Sequence, residues 1–307
     1  MRSIVTTALL CWLVVGSGLR IGEAWGPTGH QVVALIALDN VSDETRKNVV
    51  ALMQQAPPEA GLANLFPKDG RPLDARERDF VRIASTWPDL VRSVKPAERH
   101  AFHRRTWHFR DFYWKQEQGR AVDVPDLSVD QENLLERLQA FQTMLMDKSQ
   151  PPGQRAIAMA WVLHLVGDVH QPLHCSGPVT SMEPKGDEGG NLFRLDRDNL
   201  HSYWDSMLDK AVVRRKNEGT TVYLSRATAL VVARHPRALL VDQLKPGKFE
   251  DWARESLADA KKAYPASLKR NQAPSDGYRE KGTQVARERI AFGGYRLALV
   301  LEQVAGQ

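Results

Sequence analysis

Apolar residues recur every three to four positions in several windows of the chain, the spacing that gives a helix one apolar face. These windows predict helices over 28–38, from a Ser42 cap to about 54, and over 74–85, 154–170, 199–210, 222–234, 249–263 and 283–304. Ser128 and Gln131 have the spacing of a capping box and predict a further helix running to Met146. The residue before a proline avoids the helical region, so Trp87-Pro88 and Gln171-Pro172 mark expected stops. Segment 154–170 is apolar nearly all round, as a buried helix is. No run of alternating residues announces a strand, and there is neither a glycine-rich phosphate loop nor an internal repeat. Segment 100–116 is aromatic without a clear helical period. Stretches 55–72 and 175–198, rich in Gly, Pro and charge, are expected to be long connections, a class that often carries function. The expected fold class is all-α, in a single helical domain.

The first 24 residues follow another pattern. Arg2 makes a short basic start, and Ile4–Val15 is an apolar run of 12 residues. A bilayer-spanning helix needs about 20. Small residues follow at Gly22 and Ala24, where a signal peptidase reads. Residues 1–24 are therefore expected to be a secretory signal cut after Ala24, leaving 25–307 as one catalytic domain that starts at Trp25. A lipoprotein reading at Cys11 stays open, although that Cys comes too early for a full apolar region. The expected location is secreted or periplasmic, with no membrane anchor after cleavage.

Composition narrows the class. Of 307 residues, 42% are hydrophobic and 26% charged, and the formal net charge is +5. That excludes a disordered chain. Two Cys, Cys11 and Cys175, exclude a disulfide scaffold. After cleavage Cys175 stands alone, so stability must come from the core or from metal. The basic excess favours an anionic partner only weakly.

The chemical signal lies in His and Asp. His164 and Asp168 are four apart, and so are His201 and Asp205. Four helical residues complete just over one turn and rise about 6 Å, so each pair shares a face. Imidazole with carboxylate on one face suits Zn²⁺. One such pair alone is more readily a surface pair; two pairs flanking His174 point further. Asp168 also sits in an apolar helix, where a carboxylate needs a cation or several hydrogen bonds.

His164-Leu-Val-Gly-Asp168-Val-His170-Gln-Pro-Leu-His174 resembles the signature of the single-strand-specific, trinuclear-zinc nucleases of fungi, plants and bacteria, the class I nucleases. Trp25-Gly-Pro-Thr-Gly-His30, Ala84-Ser-Thr-Trp-Pro-Asp89, Trp107-His-Phe-Arg-Asp111, Gly186-Asp-Glu-Gly-Gly-Asn191 and Asn199-Leu-His201 with Trp204-Asp205 extend the resemblance in the same order. It implies the helical fold shared by zinc phospholipase C and these nucleases, with three zinc ions. Asp89, His108, His164 and Asp168 would hold one. The amine and carbonyl of Trp25, His30 and Asp168 would hold a second, with Asp168 bridging. His174, His201 and Asp205 would hold a third. Asp111 would orient the attacking water, Arg92 would stabilise phosphate charge, Phe109 would stack a base, and Asn191 would contact a nucleobase or shape the site. His170 is expected to be a neighbour of the site, not a ligand.

The function so implied is endonucleolytic hydrolysis of single-stranded DNA and RNA to 5′-phosphate products, with 3′-nucleotides as further substrates. No protein partner is implied. Two rivals stay open. A zinc-dependent phospholipase C has a longer gap from its Trp to its first His and a His–Glu pair in place of His201–Asp205. A non-enzymatic periplasmic zinc-binding protein would not require Asp111 or Arg92.

Overall fold

In a computed structural model the described residues are 25–93, 101–125, 127 and 132–306. They form helices α1 (Pro27–Leu38), α2 (Asp43–Met53), α3 (Leu73–Ala84), α4 (Trp87–Leu90), α5 (Leu134–Met146), α6 (Pro152–Asp168), α7 (Leu200–Asp205), α8 (Met207–Ala211), α9 (Thr220–Arg234), α10 (Arg237–Leu240), α11 (Phe249–Ala263) and α12 (Asp276–Ala305). The architecture is all-α.

Most of the amphipathic windows became helices close to their expected bounds, although α12 begins at Asp276 rather than 283 and α5 at Leu134. Ser42 caps α2, accepting a hydrogen bond from Thr45 N at 3.1 Å. The expected stop at Trp87-Pro88 holds, α3 ending at Ala84, and a new helix begins there because proline fits the first turn, where its missing N–H is not needed. Two expectations need correction. The window 199–210 is two helices broken at Ser206, whose Oγ bonds the carbonyls of Ser202 and Tyr203 and competes with the helical ladder. A short sheet also exists: β1 (Tyr113–Glu117) pairs antiparallel with β2 (Arg120–Asp123) and parallel with β3 (Gly177–Pro178). Ser128 and Gln131 lie outside the described residues, and α5 is capped instead by Asn133, which accepts from Leu135 N and Glu136 N.

Helix α6 is the central element. From Ala158 to Asp168 every residue is buried, by α2, α5, α1, α4 and α12 around it. α12 would be about 45 Å long at 1.5 Å per residue, and packs along α1. A buried ionic cluster locks α12 to the rest. Arg296, fully buried, donates to both carboxylate oxygens of Glu255 on α11, to the carbonyls of Gln243 and Leu244, and to His170 Nε2 just beyond α6. His170 is thus a structural neighbour, with its Nδ1–H given to Val166 O at 2.7 Å. Trp161 and Trp204 are core, whereas Trp107 stays half-buried between Arg104 and Arg137. Among the described residues no helix is long and apolar enough to cross a membrane.

Candidate metal centre and active site

The C-terminal half of α6 presents His164 and Asp168, both at 0% exposure, to one side. α1 brings His30 to them, α4 brings Asp89, and a 3-10 turn over Arg105–His108 brings His108. The turn Pro172–Cys175 and α7 add His174, His201 and Asp205. Three groups result, each with donor atoms within 4.8 Å of one another: His30, His164 and Asp168; Asp89, His108 and His164; His174, His201 and Asp205. Every side chain expected as a ligand falls in one of them.

Two glycines make these approaches possible. A Cβ on Gly167 would lie 2.5 Å from His30 Nδ1, so the bare position admits the ring against α6. Gly189 adopts φ +60, and a Cβ there would lie 2.3 Å from Leu173 O. Only glycine takes that conformation without cost. It aims the Gly189 carbonyl at His201.

That carbonyl belongs to a repeated arrangement. His164 donates Nδ1–H to Ser85 O at 2.8 Å, His174 to His108 O at 2.7 Å and His201 to Gly189 O at 2.7 Å. Each bond sets the tautomer and turns the Nε2 lone pair into the site, the usual outer support of a metal-ligating His. Asp168 divides its oxygens. Oδ2 lies 3.0 Å from His108 Nδ1 and 3.3 Å from His164 Nε2, while Oδ1 lies 3.4 Å from His30 Nε2. His108 Nδ1 and His164 Nε2 are 3.0 Å apart. Two donors each about 2.0–2.1 Å from one tetrahedral ion sit roughly 3.3 Å from each other. The spacing is that of donors around a shared centre.

The electrostatics agree. Burial holds the imidazoles of His30, His108 and His174 well below their ordinary pKa, and neighbouring imidazoles lower them further. His164 is lowered by burial too, against the opposing pull of Asp89. Neutral imidazoles keep their lone pairs for a cation. Burial, then Asp89, pushes Asp168 well above the carboxylate range. An anion there calls for a positive partner. Both nitrogens of His30 and the Nε2 atoms of His108 and His174 are buried without a hydrogen-bond partner, and buried polar atoms are rarely left so. The donor set, its spacing and these orphaned nitrogens fit divalent metal.

The profile of the S1/P1 Nuclease family matches residues 25–306. The chain belongs to that family. It is 24% identical to Nuclease S1 of Aspergillus oryzae over 94% of both chains. It is 23% identical to Endonuclease 2 of Arabidopsis thaliana, over 99% of this chain and 97% of that one, and 23% identical to Endonuclease 4 of the same plant over 91% and 89%. The protein is therefore a nuclease, a hydrolase of phosphodiester bonds in nucleic acid, with three His/Asp groups that could hold its metal.

Around the nuclease site stand the other expected residues. Arg92 pairs with Asp89 at 2.9 Å, and its positive field depresses the pKa of His30, His108, His164 and His174. The Phe109 ring is half-buried, 4.6 Å from the His174 ring and 5.9 Å from that of His201. Asp111 is half-buried beside Gly177, on a segment tied to the third group by Arg110 N donating to His174 O at 2.8 Å. Asn191 lies on the loop that carries Gly189 and donates Nδ2–H to Glu188 O. Trp25 is fully buried, and the next N–H, of Gly26, donates to Asp205 O at 3.0 Å. Cys175 is a buried free thiol. The sequence reading missed Gln171, wholly buried between the first two groups and the third. The one signal was a polar residue between His170 and His174 in an otherwise apolar run.

Proposed function

We propose that this chain is a secreted or periplasmic zinc-dependent endonuclease that cleaves single-stranded DNA and RNA to 5′-phosphate products and removes 3′-phosphates from nucleotides. The observation that carries the reading is Asp168, buried, with one oxygen toward His30 and the other toward His108 and His164. A carboxylate so placed would serve two cations. Asp89, His108, His164 and Asp168 would hold one zinc; His30, Asp168 and the amine and carbonyl of Trp25 would hold a second; His174, His201 and Asp205 would hold a third. Zinc in these positions would supply activation of water and neutralisation of phosphoryl and leaving-oxygen charge.

The chain's own residues do the rest. Asp111 accepts a hydrogen bond from the attacking water and so sets its line of approach. Arg92, steadied by Asp89, donates to a phosphate oxygen with a planar fork suited to it. Phe109 offers a ring face to an unpaired base, and Asn191 a hydrogen bond to its edge. A duplex hides base faces, and so the preference for single strands follows. Residues 1–24 are removed as a signal, which frees the Trp25 amine. The burial of Trp25 and the bond from Gly26 to the carbonyl of Asp205 support a chain start held at the site.

One experiment tests the whole reading. Zinc-loaded protein beginning at Trp25 is assayed in parallel on single-stranded DNA, a 3′-nucleotide and phosphatidylcholine. Hydrolysis of the first two is expected. Lipid cleavage alone, or no hydrolysis at full zinc content, would overturn it.

A further inference from the structure

We propose that Gln171 is a positioning residue that holds the Asp205 carboxylate ready to bind the third zinc. The inference rests on reading His174, His201 and Asp205 as a metal site.

Gln171 is 0% exposed. The orientation of its amide follows from its partners. Leu173 N can only donate, so the atom 2.6 Å from it is Oε1. The amide nitrogen therefore faces Asp205 Oδ1, at 2.7 Å. An amide donor to a carboxylate oxygen makes a bond of the stronger, charge-assisted kind and fixes the direction in which the carboxylate points. With Oδ1 held, Oδ2 stands 3.6 Å from His201 Nε2. The backbone of Gln171 does two further jobs. Its N–H donates to Asp168 O at 2.9 Å, and its carbonyl accepts from His174 N at 3.0 Å. One residue is thus bonded to segments that carry donors of the bridging group and of the third group.

Outer partners of metal ligands typically contribute about 10–100-fold to metal affinity. The substitution Gln171→Glu separates this role from a purely structural one. It keeps an acceptor for Leu173 N–H and nearly the same shape, but sets an anion against Asp205. Zinc is titrated into metal-free mature protein against a chromophoric chelator, with circular dichroism checking the fold. In Gln171→Glu one equivalent should weaken by about 10–100-fold, while the others stay within about twofold. Cobalt(II) in place of zinc should show an altered visible absorption for that equivalent alone. Excess zinc should restore turnover in Gln171→Glu but not in Asp205→Ala, where the ligand itself is gone. Gln171→Leu, which removes donor and acceptor together, should repeat the affinity loss. Unchanged affinities in both variants, or a uniform loss across all equivalents, would overturn the role of Gln171. A parent protein that binds no third equivalent would instead overturn the reading of the site.

Discussion

Replacing Gly167 by Ala tests whether the first two groups are held as tightly as their geometry implies. In the interior of a helix the change ordinarily stabilises by about 1 kcal/mol. At Gly167 the added methyl would lie 2.5 Å from His30 Nδ1 and 2.9 Å from its Cε1. The His30 ring has no free direction: it is fully buried and stacked on His164 at 3.9 Å between centroids, 16° from parallel. Forcing a methyl into such a core costs about 1–3 kcal/mol. The collision therefore equals or outweighs the propensity gain, and the net effect is roughly 0–2 kcal/mol of destabilisation. For a domain near this size that lowers Tm by a few degrees, at about 2–4 °C per kcal/mol. Metal affinity should suffer more, because His30 must move relative to Asp168 Oδ1, now 3.4 Å away. Gly277→Ala, in the first turn of α12 with nothing within 4 Å of the new methyl, is the control. It should raise Tm, by up to about 1 kcal/mol of stability. Melts in chelator separate packing from metal binding, and zinc titration reads the second. The reasoning fails if Gly167→Ala melts at or above the parent in chelator and binds zinc as tightly.

Four further outcomes are expected. Removing zinc should lower Tm substantially, since each site contributes about 2.7 kcal/mol when the ion stands at a hundred times its Kd; an identical melt with and without chelator would contradict this. A protein carrying one extra Met before Trp25 should bind one zinc fewer and lose most activity, measured by metal analysis and nuclease assay; full activity would remove the terminal amine from the ligand set. Asp111→Asn should keep its metal content while turnover falls, and an unaffected turnover would reduce Asp111 to a structural residue. Burial pushes the Cys175 thiol far above its ordinary pKa, so little thiolate exists at pH 8. A disulfide reagent at pH 8 should therefore label it only after unfolding, and rapid labelling of the native protein would disprove its burial.

Legibility in the sequence followed the range of the interaction. Segment 249–263 was read as a helix, and its observed bounds match, because its apolar stripe repeats over four turns. Ser42 announced its cap because capping is local. The i, i+4 pairs gave four of the eight side chains in the three His/Asp groups for the same reason. The need of Asp168 for a cation followed from a carboxylate inside an apolar helix. The sheet stayed hidden because β1 buries only Trp114 fully and β3 is two residues long, too few for alternation to show. The break at Ser206 depends on a hydroxyl reaching back to two carbonyls. Asp89, His108 and His30 show no periodicity with α6; only the resemblance in motif order placed them. Gln171 showed only as a polar residue in an apolar run, since its meaning lies in Asp205, 34 positions later.

The seam between the chain's start and α7–α8 has a consequence for the order of events during folding. Gly26 bonds Asp205, and Thr28 Oγ1 bonds Asp209 Oδ1 at 2.7 Å, across 181 positions. Contacts so distant in sequence close late, because the loop entropy must be met first. Before they close, His30 on α1 is not held against His164 and Asp168, and that group is incomplete. Tight metal uptake by the group that includes His30 should thus report completion of the topology, a clock for the last seam to shut.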